Sequence, residues 1–529
     1  MVALALAAST VGAGADELSG ADKLRLVYAN QLAWTKDGLP LVTVRIAEGR
    51  DEVRLAAEDL RVLPDGEGGA EVRPGTLGVS RVVIRVRNPR PGRLRYHVIV
   101  ARLPPGAAEV TATLESWRSR GFAPRTFETG VVLGIRGEVL DSRRVLVAAE
   151  ALPTETAALQ RAAQLAAQYH LATSVYAELV ERPSGVVEAV DERGLSVGNE
   201  GILWFAAGRG MLEVAEVDKE SGGRESRRYL GRIYVTVDRA GKLAVVNAVP
   251  EDKLLAGLVP AEMPASAPLE ALKAQAVAAR NELLAKLGTR HLTDPYRLCS
   301  TKHCQVYAGA GSEDPRSTRA VEATRGELLI HDSGGLVDAV YSASCGGHTE
   351  DNERAWGGVA DPSLRGRPDG QVMAPASGDA KLEAYLSSPS NASCARGPGF
   401  RWRAALDLNK VAKRLGMGRL RSLEVVERGV SGRAIKLAVV GETGASELRG
   451  ELEIRRALGD GAILKSSLFV LHVERDSDGF VTRAALVGGG HGHGIGMCQD
   501  GAMGMAEAGA TYREILRRYY QSATTKRLY

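Results

Sequence analysis

Three stretches of this 529-residue chain carry side chains able to do chemistry. Glu262 stands between Pro260 and Pro264, on a turn just ahead of a strongly helical run. A carboxylate at such a junction is placed to give and take a proton in a cleft. Cys299, His303 and Cys304 are clustered, with His291 just upstream. Thiolates and imidazoles at this density suit four-coordinate zinc, and Cys299 with Cys304 would also suit a disulfide. The glycine-dense run 488–496 bears His491 and His493. Such a loop can ligate a metal through both rings or turn backbone N–H groups toward a ligand.

These groups need elements to hold them. Residues 269–287 read as a packed helix, with Leu269, Leu272, Ala276, Ala279 and Leu283 on one face. Pro268 suits its first turn, Glu270 favours the positive end of its dipole, and Gly288 suits its C-terminal stop. Lys273 and Arg280 share another face, and Gln275 points elsewhere, beside Glu282. A second helix opens with the capping box Thr511-Tyr-Arg-Glu514. An apolar strand over 336–341 leads into Ser342-Ala-Ser344-Cys-Gly-Gly-His348, whose paired glycines allow close backbone approach. Cys345 and His348 could also be read as a nucleophile and its base.

Upstream, residues 24–90 are strand-rich and punctuated by Gly and Pro. From Tyr96 the pattern becomes β-α-β-β-α-β: a strand over 96–100, a helix over 106–119, strands over 131–135 and 145–148, a helix over 154–169, and a strand over 174–180. The predicted class is multidomain α+β, mostly antiparallel sheet. The expected segments are 16–91 (β-rich), 92–182 (ferredoxin-like), 183–227 (β-rich) and 228–529 (bearing the chemistry). A hydrophobic content of 44% and a charged content of 25% are those of a soluble globular protein. A net charge of +4 gives no reason to expect a nucleic-acid partner. No apolar run reaches the ~18 residues of a transmembrane helix. Residues 1–15 end in Ala13-Gly14-Ala15 and resemble a signal peptide, which implies export to the periplasm or bacterial envelope. The five cysteines, an odd count, do not read as a disulfide framework.

The string from Val259 to Arg280 resembles the signature of the SpoIID/LytB family, the stage II sporulation protein D group and its amidase-enhancer relatives. The likeness continues through Cys299-Ser-Thr-Lys-His-Cys-Gln-Val-Tyr307, Tyr341-Ser-Ala-Ser-Cys-Gly-Gly-His-Thr-Glu350 and Gly492-His-Gly-Ile-Gly-Met-Cys-Gln-Asp-Gly-Ala502, and spans about 228–529. Residues 92–182 resemble, without a sharp motif, the SPOR domains that bind peptide-stripped glycan. The chain departs from many relatives at Ala267 and at Asn281-Glu282.

The resemblance implies a peptidoglycan lytic transglycosylase that prefers glycan strands stripped of stem peptides. Glu262 maps to the catalytic acid/base, and partial burial beside Met263-Pro264 would raise its pKa. Lys273, Gln275, Arg280, Tyr341, Ser342, Ser344, His493 and Gln499 are the expected substrate contacts; small hydroxyls suit hydrogen bonds to sugar hydroxyls and N-acetyl groups. It also implies a structural zinc on His291, Cys299, His303 and Cys304. Two rival functions stand beside this one. A non-catalytic enhancer would bind the wall or a cell-wall amidase, and a metal-dependent hydrolase would use the Cys/His cluster itself.

Overall fold

The computed structural model describes residues 27–28, 33–63, 79–135, 138–219, 222–301, 303–304, 306–370 and 378–529. The signal-peptide-like segment lies outside the described residues. The chain divides into two units, 1–257 with 286–312 and 529, and 258–285 with 313–528.

The first unit is built on an eleven-stranded sheet. The strands Pro40–Arg50, Leu243–Pro250, Arg232–Val237 and Ile202–Asp218 are neighbours and antiparallel, and Glu52–Leu63, Val79–Arg90 and Ser184–Asp191 continue the sheet. It therefore takes strands from both sides of the boundaries expected near 182 and 227. Every residue of Arg232–Val237 is buried, as befits a central strand covered on both faces. Ser184–Asp191 instead alternates buried and half-buried residues, the period-two pattern of a strand with one wet face. Trp204 opposes Tyr234 in register, their rings 4.6 Å apart.

A smaller sheet carries the β-α-β-β-α-β module. Its strand order is Ser174–Glu181, Arg93–Leu103, Arg144–Leu152, Arg125–Thr129, all antiparallel, which is the ferredoxin-like order. Helices α1 (Ala108–Ser119) and α2 (Glu155–Tyr169) pack Trp117, Ala158, Ala162 and Leu165 against Val98, Val100 and Val147. Thr154 caps α2 by accepting from the Ala157 N–H. The sequence reading misplaces one strand here. Residues 132–135 pair with 138–141 in a separate hairpin, and the sheet strand is Arg125–Thr129. Its Arg-Thr-Phe-Glu-Thr composition is too polar to stand out beside Val131-Val132-Leu133.

In the second unit, Glu327–His331 pairs with Ala523–Arg527, and Tyr341–Ser342 pairs in parallel with Met497–Cys498. The antiparallel sheets Arg401–Ala405/Val481–Gly489/Phe469–Arg475 and Leu420–Arg428/Ala434–Gly441/Ala445–Arg449 enclose a core of Trp402, Leu437, Val439, Ile454, Phe469 and Leu486. No described helix is long and apolar enough to cross a membrane.

Candidate functional site

Glu262 is the last residue of helix α3 (Glu251–Glu262), not a loop residue. The Met263 N–H still bonds to the Val259 carbonyl, and the chain turns only at Pro264. Pro268 supplies the carbonyl that starts helix α4 (Leu269–Lys286), accepting from the Ala271 and Leu272 N–H groups. Two prolines thus punctuate a short rigid link between two helices, which leaves the Glu262 side chain half-buried at a helix end.

The side chain of Gln499 secures this link. Its Nε2 donates to the backbone carbonyl of Glu262 at 2.9 Å and to Gln275 Oε1 at 3.2 Å. Gln275 is fully buried and Gln499 nearly so. Both were expected at the substrate; instead Gln499 bonds the Glu262 carbonyl and Gln275 accepts from the same Gln499 amide. Gln499 opens helix α5 (Gln499–Glu507), whose N-cap is Cys498.

Helix α4 is buried on almost every side rather than on one face. Its Ala-rich sequence permits close approach all round. The expectation that Arg280 touches substrate fails, because it is fully buried and donates to the Thr324 carbonyl at 2.8 Å. Asn281, one of the departures from relatives, is likewise a brace. It donates to the Leu329 and Val337 carbonyls and accepts from the Leu329 N–H. Lys273 pairs with Glu270 at 2.6 Å, and the other Glu270 oxygen accepts from the Tyr512 N–H. Its ammonium also lies 5.6 Å from the Tyr512 ring centre.

The two glycine-rich loops meet. Ser344 and His491 exchange backbone hydrogen bonds of 3.0 and 2.8 Å, and Ser342 Oγ accepts from the Gly494 N–H. Ser342 and Ser344 are buried, so each holds the loop junction rather than presenting a hydroxyl to solvent. Tyr341 remains half-buried. The ring of His493 lies 4.9 Å from that of Trp356, an exposed aromatic that the sequence reading missed. His493 Nδ1 accepts from the Ile495 N–H. Burial, with the charges of Arg433 and Arg455 adding to it, pushes its pKa down to about 4. His348 is pushed down to about 4 as well, chiefly by burial, and its Nδ1 bonds to the Thr349 carbonyl rather than acting as a base toward Cys345.

Arg433 and Glu350, also missed, organise this junction. The fully buried Arg433 guanidinium donates to the Cys345 carbonyl at 2.9 Å and the His348 carbonyl at 3.1 Å. A Cβ on Gly494 would lie 2.2 Å from it, so glycine is required there. Glu350, also fully buried, accepts from the backbone N–H groups of Asp351, Val430 and Ser431. Their bracing roles are not legible locally, since the Val430 and Ser431 N–H groups and the Cys345 and His348 carbonyls lie about eighty or more positions away.

In the first unit, His291, Cys299, His303 and Cys304 bring one ligand atom each to within 4.8 Å of all the others. The two sulfurs are 3.0 Å apart, His291 Nε2 is 3.2 Å from Cys304 Sγ, and His303 Nδ1 is 3.5 Å from Cys299 Sγ. Hydrogen bonding from Cys304, His291 and neighbouring groups holds the Cys299 thiol well below its ordinary range. His291 Nδ1 meets the Asp294 carboxylate at 2.9 Å, and Asp294 pairs with Arg239. A carboxylate behind the distal imidazole nitrogen is the usual support of a metal-bound histidine. Four donors of these types would fill a tetrahedral zinc, which would open the 3.0 Å sulfur–sulfur contact to about 3.8 Å.

The architecture defines a multidomain α+β protein with a clamped glutamate at a helix end. Residues 239–331 match the family described as Stage II sporulation protein, and 350–496 match a domain of unknown function (DUF8618). The chain is 32% identical over 295 residues to the amidase enhancer of Bacillus subtilis (strain 168), covering 51% of this chain and 40% of that protein. It is 28% identical over 323 residues to stage II sporulation protein D of Bacillus amyloliquefaciens, covering 58% of this chain and 83% of that one. The match therefore spans less than half the length of the amidase enhancer. The chain belongs to the SpoIID family.

Proposed function

We propose that this protein is an exported lytic transglycosylase that cleaves peptide-stripped peptidoglycan glycan, with Glu262 as its single acid/base. The observation that carries the reading is the bond from Gln499 Nε2 to the Glu262 carbonyl, made across 237 positions of chain while the buried Gln275 accepts from the same amide. Proton transfer needs a well-placed carboxylate, and the clamp fixes the backbone from which the Glu262 side chain extends. Glu262 gives its proton to the glycosidic oxygen as the bond from muramic acid C1 to that oxygen breaks. The carboxylate then takes the proton of the muramic O6 hydroxyl as O6 bonds to C1, closing a 1,6-anhydro ring. No water attacks, so a second carboxylate is dispensable. Trp356, Tyr341 and His493 offer a surface suited to a sugar face. A structural zinc on His291, Cys299, His303 and Cys304 would hold the loop that follows α4. Its four protein ligands leave no place for substrate, which argues against a metal-dependent hydrolase.

The test is mass spectrometry of stem-peptide-stripped peptidoglycan after incubation with wild type and Glu262→Gln. Anhydromuramic products are expected from wild type, with a loss of about 10²–10⁴-fold in the variant. Products formed equally by both would overturn the assignment of Glu262. The likeness to an amidase enhancer favours a second reading, in which the protein stimulates a cell-wall amidase. Stimulation that survives Glu262→Gln, with no anhydro products from wild type, would establish it.

A further inference from the structure

Three cysteines distant in sequence meet an aspartate in the second unit. Cys345, Asp369, Cys394 and Cys498 are all buried, and one ligand atom from each lies within 4.8 Å of the other three. None of them belongs to the Glu262 turn or to the His291 cluster. We propose that these four side chains form a second structural metal site, a Cys3Asp set that binds zinc.

The spacing fits a single tetrahedral ion. Two sulfurs each about 2.3 Å from zinc lie about 3.8 Å apart along a tetrahedral edge. Cys345 Sγ and Cys394 Sγ are 3.7 Å apart. A disulfide needs about 2.05 Å and would leave the third cysteine and the aspartate unaccounted for. An iron–sulfur cube places its thiolates on separate irons, which spreads them more widely than this set allows.

The surroundings suit anionic ligands. Cys498 Sγ accepts from the backbone N–H groups of Cys345 at 3.1 Å and Gly501 at 3.3 Å, as a metal-bound thiolate does. Asp369 accepts from the Tyr519 hydroxyl at 2.8 Å and the Cys394 N–H at 2.9 Å, both uncharged donors. Among the described residues it makes no ion pair. A buried carboxylate without a cation is costly, and a divalent ion removes that cost. The cradle is also built tightly. A Cβ on Gly501 would lie 2.0 Å from the Tyr519 hydroxyl and 3.0 Å from Asp369, so only glycine lets these groups close over the site.

The site has a structural consequence. Cys345 lies in one glycine-rich loop, and Cys498 follows the other and precedes Gln499, the residue that clamps Glu262. An ion there ties both loops to the Glu262 turn. The inference does not depend on which reaction the protein performs.

The experiment measures metal per chain in the full-length protein after reconstitution with zinc alone under thiol reductant, followed by desalting. Wild type should retain one equivalent more than a folded Cys394→Ser variant. The Cys299→Ser/Cys304→Ser double variant should keep that equivalent. If Cys394→Ser does not fold, wild type alone still decides. Cys345, Cys394 and Cys498 should resist alkylation until a chelator is added, and all should alkylate once unfolded without reductant. Equal metal in wild type and folded Cys394→Ser, alkylation unaffected by chelator, or an isolated Cys345–Cys394 disulfide would each overturn the proposal.

Discussion

The two thiol clusters differ in how far the chain must travel to build them. His291, Cys299, His303 and Cys304 come from one loop, whereas Cys345, Asp369, Cys394 and Cys498 come from four segments. The first closes a short stretch with few apolar side chains of its own. The second joins segments that strand pairing already brings together, at Tyr341–Ser342 against Met497–Cys498. A local cluster should therefore order its own loop, and a dispersed one should lock loops that other forces have assembled. Closing a long loop costs more entropy, so the dispersed cluster depends on the fold around it.

The contrast breaks most readily at Arg433, which braces the dispersed cluster through the Cys345 carbonyl. Arg433→Met should lower the stability of the second unit by about 3–5 kcal/mol, because it leaves buried carbonyls and the buried Glu350 charge uncompensated. Urea unfolding with a probe in that unit checks this. A loss below about 1 kcal/mol would mean that the loops hold without the brace. Next in size, Cys299→Ala with Cys304→Ala should speed amide exchange by about 100-fold within 287–307 and leave 342–347 unchanged. Cys394→Ser should do the reverse, by about 10-fold, at 342–347 and 490–499. Exchange mass spectrometry showing the same spread in both variants would end the distinction.

The smallest effect is pH dependence. His348 and His493 are both pushed down to about 4, chiefly by burial, while an unfolded histidine titrates near ~6.5. Both are neutral in the folded protein, so the stability they contribute is complete above about 6.5 and declines as pH falls toward 4. The second unit should thus unfold at progressively lower urea over that window, and His493→Asn should flatten part of the slope. An unchanged slope would place the loss on other groups.

Much was legible locally. The capping box at Thr511 and Glu514, helix α4 with its stop near Gly288, and the β-α-β-β-α-β order all depend on neighbours a few residues apart. So does the His291 cluster, whose members are visible side by side. The substrate contacts were less legible. Gln275, Arg280 and Gln499 were expected to contact substrate, and the structure buries all three among protein partners. Polarity in a sequence does not reveal whether a side chain faces solvent or an orphaned carbonyl.

The sequence by itself determined the family, the position of Glu262 as the candidate carboxylate and the donor types of the first cluster, because short motifs encode them. Only the tertiary structure decided that Glu262 ends a helix, that Gln499, itself bonded to Gln275, clamps its main chain, and that three scattered cysteines converge on Asp369. The last two depend on contacts between distant segments, 237 positions apart for Gln499 and Glu262 and 153 for Cys345 and Cys498, which no local spacing records.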